Sequence, residues 1–177
     1  MPDLVVLPAH DPTAAQRLLE KLTTEVAMET FTNTLTIDRP AKEVFAFLAD
    51  FENVPKWNYA IDRTRKTSPG PVAVGTTYRQ TRSIPRKSEE GFEVTAFELG
   101  KHLAVRGQIG PFRARISYLL EAAPGGTRLT NEVALDPSPG VLRLAARLAT
   151  PRVKAAVAEN LSKLKEILEA RDQRVGA

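Results

Sequence analysis

Cysteine is absent from this chain, which excludes disulfides, thiolate metal sites, iron–sulfur ligation and a cysteine nucleophile. Histidine is nearly as scarce. His10 and His102 are the two present, so neither a His-based catalytic triad nor a multi-histidine metal site has its parts. No HExxH, GxGxxG, P-loop or GxSxG pattern occurs, which argues against zinc proteolysis, Rossmann or P-loop nucleotide binding and α/β-hydrolase chemistry. Long apolar runs are lacking too: Leu4 to Leu7, bounded by Asp3 and Pro8, is too short for a signal peptide or a membrane span. The expectation is a cytoplasmic protein with no metal and no cofactor. Neither sign of charge dominates, with 25 basic against 21 acidic residues and a net charge of +4. The basic residues are not gathered into a stripe interleaved with aromatics, so nucleic acid is not an expected partner.

What is present suits one domain: 177 residues, 42% of them hydrophobic, are enough for a single substantial core. Residues 1–28 read as a leader, a loop followed by a helix that Asp11 caps and Pro12 opens, with Leu18, Leu19, Leu22 and Val26 as its stripe. From Glu29 the pattern turns to short runs of Thr, Val, Ile, Phe and Tyr between Gly, Pro and charged turns, an antiparallel meander. Strands are expected near 29–37, 60–67, 75–84, 89–98, 101–110, 112–121 and 127–136. Between the first two, Pro40 suits a first helical position and Val44, Phe45 and Leu48 share a helical face; Asp50 and Pro55 punctuate the residues after it. Helical spacing returns over 138–171, where Val153, Val157, Leu161, Leu164 and Leu168 form one stripe. Pro151 is expected to interrupt or kink that helix and set Val141, Leu144, Ala145 and Leu148 apart as a separate amphipathic piece. Residues 29–171 thus form the domain, and 172–177 a tail.

Turns fix the inward face of the sheet. A tight turn at Gly110 and Pro111 opposes Ile109 to Phe112, Gly107 to Ala114, Val105 to Ile116 and Leu103 to Tyr118; directly opposed residues share a face. Carrying the register through Pro124, Gly125 and Gly126 opposes Leu120 to Leu129, Tyr118 to Asn131, Ile116 to Val133 and Ala114 to Leu135. Through the Leu99, Gly100 turn the same face gains Phe92, Val94 and Ala96. A further pairing adds Tyr78 and Gln80, an assignment that one slipped residue would reverse. His102, Arg106, Gln108, Arg113 and Arg115 then face solvent. Glu89 and Glu90 are adjacent on a strand and point opposite ways, so they make no carboxylate pair.

The stretch Thr36 to Trp57, TIDRPAKEVFAFLADFENVPKW, with the later GPF and PGGTRLT segments, resembles the START-like helix-grip superfamily (SRPBCC), and especially its polyketide cyclase/dehydrase branch, over roughly residues 29–170. The resemblance implies an α+β helix-grip fold: a seven-stranded curved antiparallel sheet wrapped around a long C-terminal helix, with two short helices between the first and second strands. It implies a ligand cavity between sheet and helix. Trp57 resembles the tryptophan that closes the second helix in this family, as a lid or core anchor.

The inward face is apolar with a few polar interruptions, which describes a small-molecule pocket. Each polar residue taken singly reads first as one satisfied inside a filled core. The expected ligand-lining set is Tyr78, Gln80, Phe92, Val94, Val105, Ile116, Tyr118, Asn131, Val133, Val157, Asn160 and Leu161, with Asn33 on the first strand. The leading reading is a binder of a small hydrophobic or amphipathic molecule such as a lipid or polyketide. A cyclase/dehydrase-type enzyme is the alternative, with Tyr118 as proton donor and Asn131 as hydrogen-bond donor to a developing enolate. A coenzyme Q-binding or membrane-associated chaperone is allowed by the same resemblance. Arg82 shares parity with Tyr78 and Gln80 but reads first as an exposed strand-end arginine. Arg143, Arg147, Arg152 and Lys154 read as a solvated face before a membrane-docking one.

Overall fold

In the computed structural model of the chain, residues 29–109, 112–136 and 142–170 are described, the last stretch with its side chains from Ala149 onward. Strand β1 (Glu29–Ile37) leads into helix α1 (Ala41–Ala49), a 3₁₀ turn (Phe51–Asn53) and the single-turn helix α2 (Val54–Trp57). Six strands come next: β2 (Ile61–Lys66), β3 (Thr77–Arg82), β4 (Ser88–Glu98), β5 (His102–Ile109), β6 (Phe112–Ala123) and β7 (Gly126–Asp136). Helix α3 (Leu142–Glu169) closes the described fold. The strands form one antiparallel sheet in the order β1-β7-β6-β5-β4-β3-β2. This is the expected α+β helix-grip architecture. The expected leader helix, the Gly110–Pro111 turn, Val141 and the tail lie outside the described residues.

Local chemistry places the helices. Pro40 sits one residue earlier than the sequence suggests, as the extended residue before α1, and its carbonyl accepts the N–H groups of Glu43 and Val44. Val44, Phe45 and Leu48 are buried on the predicted face. Asp50 accepts from the backbone N–H of Glu52, which turns the chain into the 3₁₀ segment. Trp57 is buried in the main core with Phe45, Leu48, Phe51, Leu161 and Leu164.

Every expected pairing from Ile109↔Phe112 to Leu103↔Tyr118, and from Leu120↔Leu129 to Ala114↔Leu135, is present. One inward assignment is overturned. The β4–β5 register shifts between Val94 and Ala96, so Ala96 pairs with Ala104 on the outer face and Phe97 takes the inward place opposite Leu103. The extra residue of a bulge exchanges the faces beyond it. Phe97 then meets Phe45 edge-on, with centroids 5.2 Å apart.

Pro151 lies inside a single continuous α3, not at a break between two helices. It is exposed. The carbonyl one turn earlier that loses its N–H partner is therefore on the solvent side, where water satisfies it, so one proline does not divide the helix. Leu161, Leu164 and Leu168 are buried, and Val153 and Val157 are half-buried against the sheet. The end of α3 is fastened to the β1–α1 connection: Arg39 donates through Nε to Leu168 O at 3.1 Å and through Nη2 to Glu169 O at 2.6 Å. Glu169 Oε1 accepts the Asp38 N–H at 2.7 Å. A guanidinium on the last carbonyls of a helix meets both their lone pairs and the negative end of its dipole.

Candidate functional site

Asn33, Asn131 and Tyr118 stand in one row across β1, β7 and β6, with Leu103 of β5 next in line. Asn131 is fully buried. Its Nδ2 donates one N–H to the Ser117 carbonyl at 3.3 Å, and its Oδ1 is sealed without a partner. Asn33 is the complement, with its Nδ2 sealed and no acceptor to meet it. The row thus holds a sealed acceptor on Asn131 and a sealed donor on Asn33. Tyr118 is buried, and its hydroxyl makes no hydrogen bond among the described residues. Burial pushes the phenol well above the ordinary tyrosine range, so this hydroxyl is a donor and not a base at any ordinary pH.

Apolar walls flank the row. Val94, Val105 and Val133 are buried, Ile116 is half-buried, and Leu161 and Val157 come from α3. Ile116 and Val157 touch both the main core and a smaller cluster of Phe31, Phe112, Ala114, Val133 and Leu135, which joins the two. Asn160 is buried on α3, but its Oδ1 accepts the Tyr59 N–H at 3.3 Å and so ties the helix to the segment after α2. Tyr78 faces inward as expected and stacks on Phe92, with centroids 5.0 Å apart and planes within 7°; Phe51 meets both rings. The Tyr78 phenol is pushed up to about 12, first by burial and then by the Asp50 and Glu52 carboxylates.

A second polar group escaped the sequence reading. Arg82 is buried and not an exposed strand end: its Nε donates to Glu90 Oε1 at 2.6 Å. Glu90 also accepts from Gln80 Nε2 at 2.9 Å and from Ser88 Oγ at 3.4 Å. Thr64, opposite Gln80 on β2, is buried with its Oγ1 sealed and unpartnered. The signal for Arg82 was the parity it shares with Gln80 and Tyr78. Its partner became visible only once β3 and β4 were placed in register, with Gln80 opposite Glu90.

Two clefts lined by described residues open on the outer face of the sheet. The larger, about 840 Å³, runs past Arg79, Glu89, Glu93, Arg106 and Arg113, with Arg106 paired to Glu93 at 2.9 Å. The smaller, about 450 Å³, holds His102, whose Nε2 lies 2.9 Å from Ser117 Oγ. Glu98 stands 3.8 Å from the other ring nitrogen, and Lys101 also lines this cleft. No cluster of three or more metal-ligating side chains occurs among the described residues, and no helix there is long and apolar enough to cross a membrane. Arg152 and Lys154 are exposed; the side chains of Arg143 and Arg147 lie outside the described residues.

Comparison with known proteins agrees with this geometry. The uncharacterized protein Rv2574 of Mycobacterium tuberculosis is 30% identical over 154 residues, covering 84% of this chain and 89% of that protein. Among solved structures, the Zhui aromatase/cyclase of Streptomyces sp. R1128 superposes with a TM-score of 0.71 at 14% identity, over 85% of this chain and 99% of that one. The di-domain aromatase/cyclase StfQ of the steffimycin biosynthetic pathway gives 0.68 at 13% identity, over 92% of this chain; the match spans 62% of that longer protein. The family profile described as polyketide cyclase / dehydrase and lipid transport matches residues 28–169, and the chain belongs to that family.

Proposed function

We propose that this protein binds a small, mostly apolar molecule between the curved sheet and α3, and that the row Asn33–Asn131–Tyr118 receives an oxygen-bearing group of that molecule. The observation that carries this reading is the pair of sealed, unpartnered amide atoms on opposed residues, Asn33 Nδ2 and Asn131 Oδ1. Each such atom costs about 1–3 kcal/mol when left without a hydrogen bond. Native proteins carry few of them, and a hydroxyl group, which both donates and accepts, meets both at once. Native mass spectrometry of the freshly purified chain tests it. A co-purifying apolar molecule of defined mass supports the reading; a bare chain that takes up no added lipid, ketone or polyketide contradicts it.

A cyclase/dehydrase-type activity is the second reading, favoured by the Tyr118 hydroxyl, which burial keeps protonated in the same cross-strand row as the Asn33 donor, with Asn131 between them. A substrate carbonyl there would accept from both groups, and negative charge developing on its oxygen as an enolate would be stabilised by two fixed donors in a dry site. Under this reading Tyr118→Phe abolishes turnover of a poly-β-keto substrate and leaves its affinity nearly intact. Under the carrier reading the same change weakens affinity and no turnover is found in either protein.

A further inference from the structure

A single histidine suffices for acyl transfer when a hydroxyl nucleophile and a carboxylate flank its two ring nitrogens. Read linearly, the sequence gives no His-based triad its parts; the strand register brings them together from three strands on the outer face. Glu98 of β4 is opposite His102 of β5, and Ser117 of β6 lies on the diagonal, two residues from Leu119, which pairs with His102. Ser117 Oγ is 2.9 Å from His102 Nε2, within the reach a general base needs. With the ring proton on Nδ1, toward Glu98, Nε2 accepts the Ser117 hydroxyl. Glu98 Oε1 is 3.8 Å from Nδ1, too far for a hydrogen bond, so what it contributes is charge. The group lies in the smaller cleft, about 450 Å³, which Lys101 also lines. Lys101 is exposed and in no ion pair among the described residues, and Leu119, 43% exposed, gives the cleft an apolar wall.

We propose that this cleft is an acyl-transfer site in which Ser117 is the nucleophile, His102 the general base and acid, and the substrate a neutral ester. Ser117 Oγ attacks the ester carbonyl as its proton passes to Nε2, and the Lys101 ammonium meets the charge that develops on the tetrahedral oxygen. The C–O bond to the alcohol then breaks, Nε2 gives the proton to the departing oxygen, and the acyl group stays on Oγ. Water repeats the sequence: it adds to the acyl carbon and gives a proton to Nε2, and Oγ leaves and takes that proton back. The net change is ester plus water to acid plus alcohol. Glu98 acts through His102, as a positioning residue that favours the imidazolium formed in both halves. Glu121 and Glu132 line the same cleft and oppose an anionic acyl group, whereas Leu119 offers contact to an apolar one. The site is on the opposite face of the sheet from the Asn33–Asn131–Tyr118 row, so it stands or falls independently of interior binding.

A biotinylated alkyl fluorophosphonate, which reacts with activated serines by forming an Oγ–P bond and releasing fluoride, tests the assignment by intact mass and peptide mapping. The wild-type chain is expected to take one label, on Ser117, and Ser117→Ala none. His102→Gln can still hydrogen-bond Ser117 but cannot take its proton, and is expected to label at least about 100-fold more slowly. Hydrolysis of 4-nitrophenyl acetate is the second readout. Ser117→Ala keeps the imidazole and is expected to lose at least about tenfold in kcat/KM. Lys101→Met is expected to lose about tenfold in kcat, less than a buried oxyanion donor because the cleft is open to water. Glu98→Gln is expected to lower kcat about threefold with KM unchanged, and Glu98→Asp to restore it. These side chains lie outside the core, so the variants are expected to keep the wild-type circular dichroism spectrum. No label on Ser117, a labelling rate that His102→Gln leaves unchanged, or Ser117→Ala hydrolysing the ester as fast as the wild-type chain overturns the assignment.

Discussion

Asn33 and Asn131 face one another directly across β1 and β7, and each buries an amide atom of opposite hydrogen-bonding sense without a partner. A sheet optimised for stability alone would place apolar side chains there, as it does one pair further along at Phe31 and Val133. Asn131→Val keeps a strand-forming residue and removes the orphaned oxygen, at the expense of the bond to Ser117. Urea unfolding is expected to give a stability unchanged or raised by up to about 1 kcal/mol, because the penalty removed is about as large as the bond lost. Affinity for the bound molecule is expected to fall about tenfold. A loss of stability beyond about 2 kcal/mol would make Asn131 a structural residue.

Alkaline unfolding should report the two buried phenols. Tyr78 is held at about 12 and Tyr118 is raised by burial, so both keep their protons in the folded state above the ordinary tyrosine value of 10.0. The folded state binds protons more tightly than the unfolded chain, so this contribution is fully present below pH 10 and is lost as pH rises through the folded values. Urea midpoints measured from about pH 9 to 11.5 are expected to fall, and Tyr118→Phe to flatten the slope. A midpoint that holds level across that window in the wild-type chain contradicts the burial of both hydroxyls.

Gly126 begins β7 with φ at +125°, and a Cβ there would lie 2.2 Å from the carbonyl oxygen of Ile37. Gly126→Ala is expected to destabilise by about 3 kcal/mol or more, since backbone strain and a clash with another strand's backbone act together. Thermal melting by circular dichroism checks this. A change under about 1 kcal/mol would place the β1–β7 end further apart than described.

Acid should loosen the same corner of the domain, where the end of α3 meets the β1–α1 connection. The Glu169 carboxyl lies below its usual range, chiefly because it accepts the Asp38 N–H, with Lys165 and Arg39 also favouring the charged form. With a lowered folded value, the contribution is present above the unfolded carboxylate range and is lost as pH falls through the folded value. Glu169→Gln should therefore lower the melting temperature at neutral pH and converge with the wild-type chain in acid. Equal melting temperatures at both pH values would mean that the contact contributes nothing.

Much of this molecule was readable before its structure, and the parts that were not share a cause. The β5–β6–β7 register was derivable because tight turns pin it: Tyr118 could be placed opposite Asn131 from sequence alone. Phe97 was missed because a bulge between Val94 and Ala96 changes the parity of the residues beyond it, and nothing in those residue types announces it. Arg82 was misread because its burial depends on Glu90, eight residues away and across a loop. The sealed acceptor on Asn131 was not legible, since only the position of the Ser117 carbonyl decides which amide atom finds a partner. Pro151 was given too much weight against a helix anchored by Leu161, Leu164 and Leu168 further along. Local patterns fixed elements and faces, whereas pairings between distant side chains set the chemistry of the interior.

The most direct test of interior binding is a ¹⁵N–¹H correlation spectrum of the full chain titrated with 2-dodecanone, read at the side-chain amides of Asn33 and Asn131 and the backbone amides of Tyr118 and Val133. Binding between sheet and helix predicts that these resonances move together and saturate, while those of Arg79, Arg106 and Arg113 in the outer cleft stay in place. Shifts confined to the outer cleft, or none at all, would contradict it.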